Sequence, residues 1–207
     1  MTPTVDDYVR AVEEGNDPLA TFYRDQLDAE DEAVHRWVER DAALLLSALD
    51  YAKRLRLRVL PLKPNSKIPL GGERCCDGTH SNGSTTASTD PALVARWWRE
   101  HPTANIGIAT GDRVDVIDQD GPEGAISWAR IGRAEAWPAV LGIVTTVRPE
   151  GGGVHRYVAA TGDGNGAKIA PGIDYRGRGG YVVAPPSIIE GRRYSWAQPL
   201  EYPGGRQ

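Results

Sequence analysis

Apolar residues recur at helical spacing over the first part of the chain and at shorter spacing in the rest. The helical spacing predicts three helices, over residues 5–15, 17–30 and 31–55, and the second opens with an Asp-Pro pair that is typical of a helix start. We place a boundary inside the third helix. The chain is thereby predicted to consist of a helical leader, residues 1–41, and a main body, residues 42–207.

The main body alternates between short apolar stretches and turns rich in Gly and Pro. Helices are predicted over residues 89–102, which open with a Thr-Asp-Pro cap, and over residues 121–136. Residues 104–110 and 113–120 are predicted to pair as a hairpin across the Gly111-Asp112 turn. Further strands are predicted over residues 56–62, 142–149, 152–160, 172–180 and 181–187. This order of elements indicates an α+β fold with a mixed or antiparallel sheet.

Charge is distributed unevenly along the chain, whose formal net charge is −4. Residues 1–41 hold 12 Asp+Glu and 4 Lys+Arg, a net charge of −8. Residues 42–207 hold 16 Asp+Glu and 20 Lys+Arg, a net charge of +4. An acidic leader therefore precedes a mildly basic body. The body is the candidate for contact with phosphates.

The composition is that of a globular protein, with 40% apolar and 25% charged residues. No apolar run approaches the roughly 20 residues that a membrane helix needs. The acidic N-terminus lacks the basic and apolar regions of a signal peptide. The two cysteines, Cys75 and Cys76, are adjacent, which argues against a disulfide framework. We therefore expect a cytoplasmic protein without membrane contact.

Two aspartates close the predicted strand over residues 113–120. Val114, Val116, Asp118 and Asp120 share one parity and so one face, which separates the two carboxylates by ~7 Å, two rises of ~3.4 Å each. Such charges repel each other unless a cation lies nearby. Carboxylates at this spacing can share a pair of metal ions, and oxygen ligands favour Mg²⁺ or Mn²⁺ over Zn²⁺. The alternative is that both acids merely mark a strand end and a turn.

A third acid, Asp174, lies in another predicted strand, and Arg176 two residues on shares its face. The two side chains could form a plain ion pair. They also suit a metal-bound triphosphate, where the acid holds the ion and the guanidinium binds phosphate oxygens.

Three glycines, including Gly152 and Gly153, precede Val154-His155. Glycines allow the backbone to approach a ligand closely and can present N–H groups to phosphate. The alternative for His155 is a structural role within its strand. Lys67, in a loop rich in Pro, is a candidate contact for a triphosphate or a template backbone, or simply an exposed lysine.

Two further features have weaker functional interpretations. Cys75, Cys76 and His80 suggest zinc, but adjacent cysteines cannot easily bind one ion and a fourth ligand is not evident. Trp97 and Trp98 fall on a predicted helix, where one should lie in the core. The other could stack on a base, although packing is favoured.

Taken in order, these motifs resemble the bifunctional primase-polymerase domain of the archaeo-eukaryotic primase superfamily, found in replication proteins of plasmids, phages and mobile elements. The resemblance runs from about Leu44 to Trp196 and rests on the Asp-x-Asp strand, the Gly-x-His strand and the lone Asp strand followed by Gly-Gly-Tyr and Ala-Pro-Pro-Ser. It implies an RRM-like catalytic sheet joined to a smaller N-terminal α/β unit. Gln119 departs from the family pattern but should point away from the acids, and the leader has no counterpart.

The resemblance also implies site roles. Asp118, Asp120 and Asp174 would bind two Mg²⁺ or Mn²⁺ ions, and His155 and Arg176 would contact the phosphates of an incoming nucleotide. The implied reaction is template-directed nucleotidyl transfer from NTPs or dNTPs, as DNA primase or DNA polymerase, on a single-stranded DNA template with or without a primer. Because no Walker A sequence is present, any helicase partner is expected on a separate chain or a further C-terminal part.

Three alternatives stay open. The same acids could activate water in a metal-dependent phosphoesterase or nuclease. The chain could be a catalytically idle module that binds origin DNA. It could also be a polymerase used in repair or in a mobile defence system.

Overall fold

A computed structural model describes residues 10–11, 14, 42–70, 83–131, 139–146, 151 and 153–201. These residues contain helices α1 (Ala43–Lys53), α2 (Pro91–Glu100) and α3 (Gly121–Ile131) and a 3-10 turn, Gly83–Thr85. Their strands are β1 (Val59–Leu62), β2 (Asn105–Ala109), β3 (Val114–Gln119), β4 (Val140–Thr145), β5 (Val154–Ala159), β6 (Gly166–Ala170), β7 (Ile173–Arg176), β8 (Tyr181–Ala184), β9 (Ile188–Ile189), β10 (Arg192–Arg193) and β11 (Ser195–Gln198). The predicted α+β class is confirmed, and all strand pairs within the sheets are antiparallel.

Helix α2 begins where its sequence signals predict. The Asp90 carboxylate accepts a hydrogen bond from the amide of Ala92 at 3.0 Å, and Pro91 occupies the first turn. Trp97 and Trp98 on the same helix are both buried. The Trp98 indole donates to the carbonyl of Ala104 at 3.0 Å. Both tryptophans are therefore packing residues, the interpretation that the sequence favours.

A small sheet and two helices form the first unit of the fold. Its strand order is β1-β2-β8, and every residue of β1 and β2 is buried. Helices α1 and α2 pack against each other and against β1. This arrangement leaves β1 and β2 with no solvent-facing side.

A larger sheet of six strands carries the second unit, in the order β11-β4-β5-β3-β7-β6. One face continues the main core through Val114, Val116 and Tyr157. The opposite face packs Ile117, Val158 and Ile173 against helix α3. Strand β3 lies inside the sheet, between β5 and β7, so side chains of both strands can lie next to those of β3.

The predicted hairpin between residues 104–110 and 113–120 is wrong. Both strands exist, but β2 pairs with β1 and β8, while β3 pairs with β5 and β7. The chain turns at Gly111, whose φ is +93° and whose amide donates to the carbonyl of Val114 at 2.9 Å. The turn was correctly placed, but it joins two sheets because both edges of each strand already have other partners.

Several predictions concern segments outside the described residues. They include the candidate zinc ligands Cys75, Cys76 and His80, the glycine at 152, and the leader except for Arg10, Ala11 and Glu14. The boundary between a leader and a main body stays a prediction. Among the helices that the structure describes, none combines the length and apolar character needed to cross a membrane.

Candidate active site

Three of the predicted site residues lie side by side in one row across the large sheet. Asp118 on β3 is directly opposite His155 on β5 and directly opposite Asp174 on β7. Side chains of opposed residues in antiparallel strands share one face, with Cβ atoms about 4.5–5.5 Å apart. The register of three strands therefore brings together residues 118, 155 and 174.

Arg176 lies between the two carboxylates of this row. Its Nη2 atom is 2.7 Å from Oδ2 of Asp174 and 3.3 Å from Oδ2 of Asp118. The predicted ion pair with Asp174 is thus extended to a second acid. A positive charge at this position relieves the repulsion between the two carboxylates.

His155 closes the other side of Asp118. Its Nε2 atom is 3.4 Å from Oδ1 of Asp118, and its ring packs at 5.8 Å from the ring of Tyr194. The side chain is buried, and Nδ1 has no hydrogen-bond partner among the residues that the structure describes. A buried nitrogen without a partner is uncommon and indicates a group available to a ligand or a water molecule.

Asp118 is ionised at neutral pH despite its burial. Burial alone would raise the pKa of this carboxyl, but the hydrogen bonds and electrostatic interactions with His155 and Arg176 outweigh it and lower the pKa to about 2. Asp118 therefore carries a negative charge at neutral pH in the middle of the sheet.

Asp120 lies just beyond the end of β3, outside the row. Its amide donates to the carbonyl of Gly172 at 2.8 Å, and its carbonyl accepts from the amide of Gly124 at 3.1 Å. These bonds place Asp120 at the start of helix α3. The register of the sheet thus aligns two of the three predicted acids, while the third lies at the strand's end and its metal role stays a prediction.

The sequence matches the family model described as bifunctional DNA primase/polymerase, N-terminal, over residues 48–204. The chain belongs to this family. The resemblance seen in the sequence is confirmed, and the matched segment contains Asp118, His155, Asp174 and Arg176. A search of curated proteins finds no match for the chain. Membership implies primase or polymerase activity of the nucleotidyltransferase type, with DNA and nucleotides as substrates and divalent metals in general use.

The donor set of this primase/polymerase domain suits a hard divalent cation. Carboxylate oxygens of Asp118 and Asp174 both lie within 3.3 Å of one guanidinium nitrogen, so they converge on a single positive charge. Mg²⁺ is commonly held by one or two carboxylates, with water and substrate phosphates as further ligands. Within the described ranges, no three His, Cys, Asp or Glu side chains are grouped to hold a metal ion. The residues therefore fit an ion shared with a substrate better than an ion enclosed by protein alone.

Lys67 contacts Tyr181, a neighbour of Arg176, through its backbone. Its side chain is exposed, and its carbonyl accepts a hydrogen bond from the hydroxyl of Tyr181 at 3.1 Å. Burial raises the pKa of Tyr181, and the nearby positive charge of Arg176 partly offsets this rise. Tyr181 therefore links the loop of Lys67 with the guanidinium of Arg176. Gly153 is buried, and its carbonyl accepts from the amide of Thr146 at 3.0 Å.

Sequence reasoning missed Tyr181 and Tyr194 as neighbours of the site. The signal for Tyr181 was its place directly after the glycines that follow Arg176. Nothing local marks Tyr194, which meets His155 from a distant part of the chain.

Gln119 lies on the opposite face, as expected. It accepts a hydrogen bond from Nη1 of Arg156 at 2.7 Å, and this guanidinium lies 4.2 Å over the ring of Trp128 on α3. The residue that departs from the family pattern therefore makes its contacts on the face of the sheet opposite the acids.

Proposed function

We propose that this chain performs template-directed nucleotidyl transfer on DNA by a two-metal mechanism, using NTPs or dNTPs as substrates. The observation that carries the proposal is the row of Asp118, His155 and Asp174, with Arg176 between the carboxylates. Family membership supports the class of reaction. The metals would be Mg²⁺ or Mn²⁺, and the setting would be replication of a plasmid, phage or other mobile element.

The proposal extends to the fold. The sheet β4-β5-β3-β7 with helix α3 behind it would be the RRM-like catalytic unit, and the small sheet with α1 and α2 would be the N-terminal α/β unit. The catalytic domain would span residues 42–207 and follow the acidic leader. Any helicase would act as a separate partner.

Each residue of the row has a role that its geometry supports. Asp118 and Asp174 would hold the divalent ions, together with Asp120 at the strand's end. Such ions lower the pKa of the attacking 3′-hydroxyl and neutralise the triphosphate when they are bound. Arg176 and His155 would donate hydrogen bonds to phosphate oxygens and so orient the nucleotide. The protein needs no covalent nucleophile for this reaction.

Extension of a labelled primer on a DNA template tests the proposal. Asp118→Ala and Asp174→Ala should each abolish incorporation of NTPs and dNTPs with Mg²⁺ or Mn²⁺, while binding of single-stranded DNA persists. Asp112→Ala, at an exposed turn, is the matched control and should keep full activity. Unchanged synthesis in either site variant would contradict the metal role. Degradation of DNA without added nucleotide would indicate a nuclease, and DNA binding without turnover would indicate an idle module.

A second assay separates nucleotide from template contacts. Loss of one charge-assisted hydrogen bond costs about 1.5–3 kcal/mol, or about ten- to a hundredfold in affinity. His155→Ala and Arg176→Ala should raise the nucleotide concentration needed for half-maximal rate by that factor. Affinity for single-stranded DNA, measured without nucleotide, should barely change. Loss of DNA affinity with normal nucleotide use would reverse the assignment.

A further inference from the structure

Two neighbouring loops of the smaller unit carry four exposed cations. Lys63 and Lys67 lie in the loop over residues 63–68, and Arg192 and Arg193 form strand β10. We call these four residues the basic ridge. Glu190 is the one acid in the two loops, and the structure shows no ion pair for any of the four cations within its described residues. Cations without internal partners are free to bind an external anion.

Hydrogen bonds hold the two loops together although they are far apart in sequence. The buried side chain of Asn105 donates to the carbonyls of Ser66 at 3.2 Å and Ile188 at 2.9 Å, and it accepts from the amide of Ile188 at 3.1 Å. Asn65 also accepts a hydrogen bond from the amide of Glu190. The ridge is therefore a preorganised surface rather than two independent loops.

The turn of the β9-β10 hairpin adds to this order. Glu190 has a φ of +51° and Gly191 a φ of +72°, so both central residues adopt the left-handed conformation of a type I′ turn. This conformation is costly for a glutamate, and the surrounding structure must maintain it. The consequence is a tight hairpin on which Arg192 and Arg193 are both exposed, with their side chains on opposite faces of strand β10.

A recess of about 300 Å³ lies between the two loops. Pro64 and Asn65 line it from one loop, and Ile188 and Arg193 line it from the hairpin. This volume is at the lower end of the range for small-ligand pockets. An apolar wall with one arginine, Arg193, and two amides, Asn65 and Asn105, suits a single base or sugar with its phosphate.

The ridge adjoins the candidate active site. The carbonyl of Lys67 accepts the hydroxyl of Tyr181, and Tyr181 lies within electrostatic reach of Arg176. A polyanion that leaves the site toward the smaller unit would therefore meet Lys67 first and the hairpin afterwards.

The geometry points to the basic ridge as the surface that binds the phosphate backbone of the single-stranded DNA template. The inference rests on the proposed function, because it names where that template lies. A series of exposed cations, none of them ion-paired within the described residues, beside a base-sized recess matches a repeating phosphate chain better than it matches one small anion.

Binding of a labelled oligothymidylate, followed by fluorescence anisotropy without nucleotide at several salt concentrations, tests the inference. The variant Arg192→Gln with Arg193→Gln should bind about tenfold more weakly at moderate salt. The slope of log affinity against log salt should fall in magnitude by about 1.4, because each phosphate neutralised on a single strand contributes about 0.7. The template concentration for half-maximal rate should rise, while the maximal rate and the nucleotide requirement stay unchanged.

The control variant Arg113→Gln with Arg130→Gln removes the same charge from exposed positions on other elements. It should keep the affinity and the salt slope. Replacing both hairpin arginines with lysine should restore most of the slope. If the Gln variant binds the oligonucleotide with the same affinity and the same salt slope as the unmodified protein, this inference is wrong, but the proposed function is not affected. Absence of DNA binding by the unmodified protein would overturn the proposed function with it.

Discussion

The charge of Asp118 should contribute to stability in a way that depends on pH. The surroundings of this carboxyl lower its pKa from 3.8 to about 2, and only 15% of the side chain is exposed, so solvent screening is limited. At about 1.36 kcal/mol per pKa unit, the difference corresponds to about 2 kcal/mol in favour of the folded state.

The sign follows from the direction of the pKa change. The folded state binds the proton less readily than the unfolded state, so the contribution is fully present above about pH 4. It falls as the pH drops toward 2, and about half should remain near pH 3. Asp118→Asn removes the charge while it preserves the size and one acceptor oxygen of the side chain.

We therefore expect Asp118→Asn to lower the free energy of unfolding by about 2 kcal/mol at pH 6 and by about 1 kcal/mol at pH 3. Urea unfolding followed by tryptophan fluorescence measures both values without added metal. A double-mutant cycle with Arg176→Gln should show a smaller effect of Asp118→Asn, because one stabilising cation is already absent. Stability curves of the variant and the unmodified protein that stay parallel between pH 6 and pH 3 would refute the reasoning.

Two further substitutions test the fold. Gly111→Ala should destabilise the protein by more than about 3 kcal/mol, since φ is +93° and a new Cβ would lie 2.1 Å from the Cα of Arg178. Gly162→Ala, with a φ of +88° and open space, is the matched control and should cost only about 1–2 kcal/mol in thermal unfolding. Tyr51→Phe should cost about 1–3 kcal/mol in urea unfolding, because it removes a hydroxyl that donates to the carbonyl of Pro185 at 2.8 Å and accepts from the indole of Trp196 at 2.9 Å. A Gly111 variant as stable as the Gly162 variant, or an unchanged Tyr51 variant, would contradict these contacts.

Local patterns predicted much of the secondary structure. The Asp-Pro start of α2 and the alternation of β3 depend on residues a few positions apart, and both elements form where expected. Strands β6, β9, β10 and β11 were missed. They are short or polar, and β11 gains its place as an edge strand by pairing with β4 rather than from its own apolar pattern.

Partner choice was harder to predict than the strands themselves. The turn at Gly111 resembles a hairpin turn locally, yet β2 and β3 join different sheets. The surroundings of a buried polar residue, Asp115, were equally hard to predict from the sequence. It is fully buried, and its Oδ2 atom accepts from Thr161 and Tyr175, which lie 46 and 60 positions away.

The sequence by itself determined the family, the α+β class and the candidate residues Asp118, His155, Asp174 and Arg176. The register of β3 with β5 and β7 decided that Asp118 lies opposite both His155 and Asp174. The basic ridge also depends on tertiary structure, because its two loops are more than a hundred residues apart in the sequence. Helix starts and alternation depend on interactions between near neighbours in the chain, whereas strand partners depend on which edges and faces remain to be covered in the whole fold.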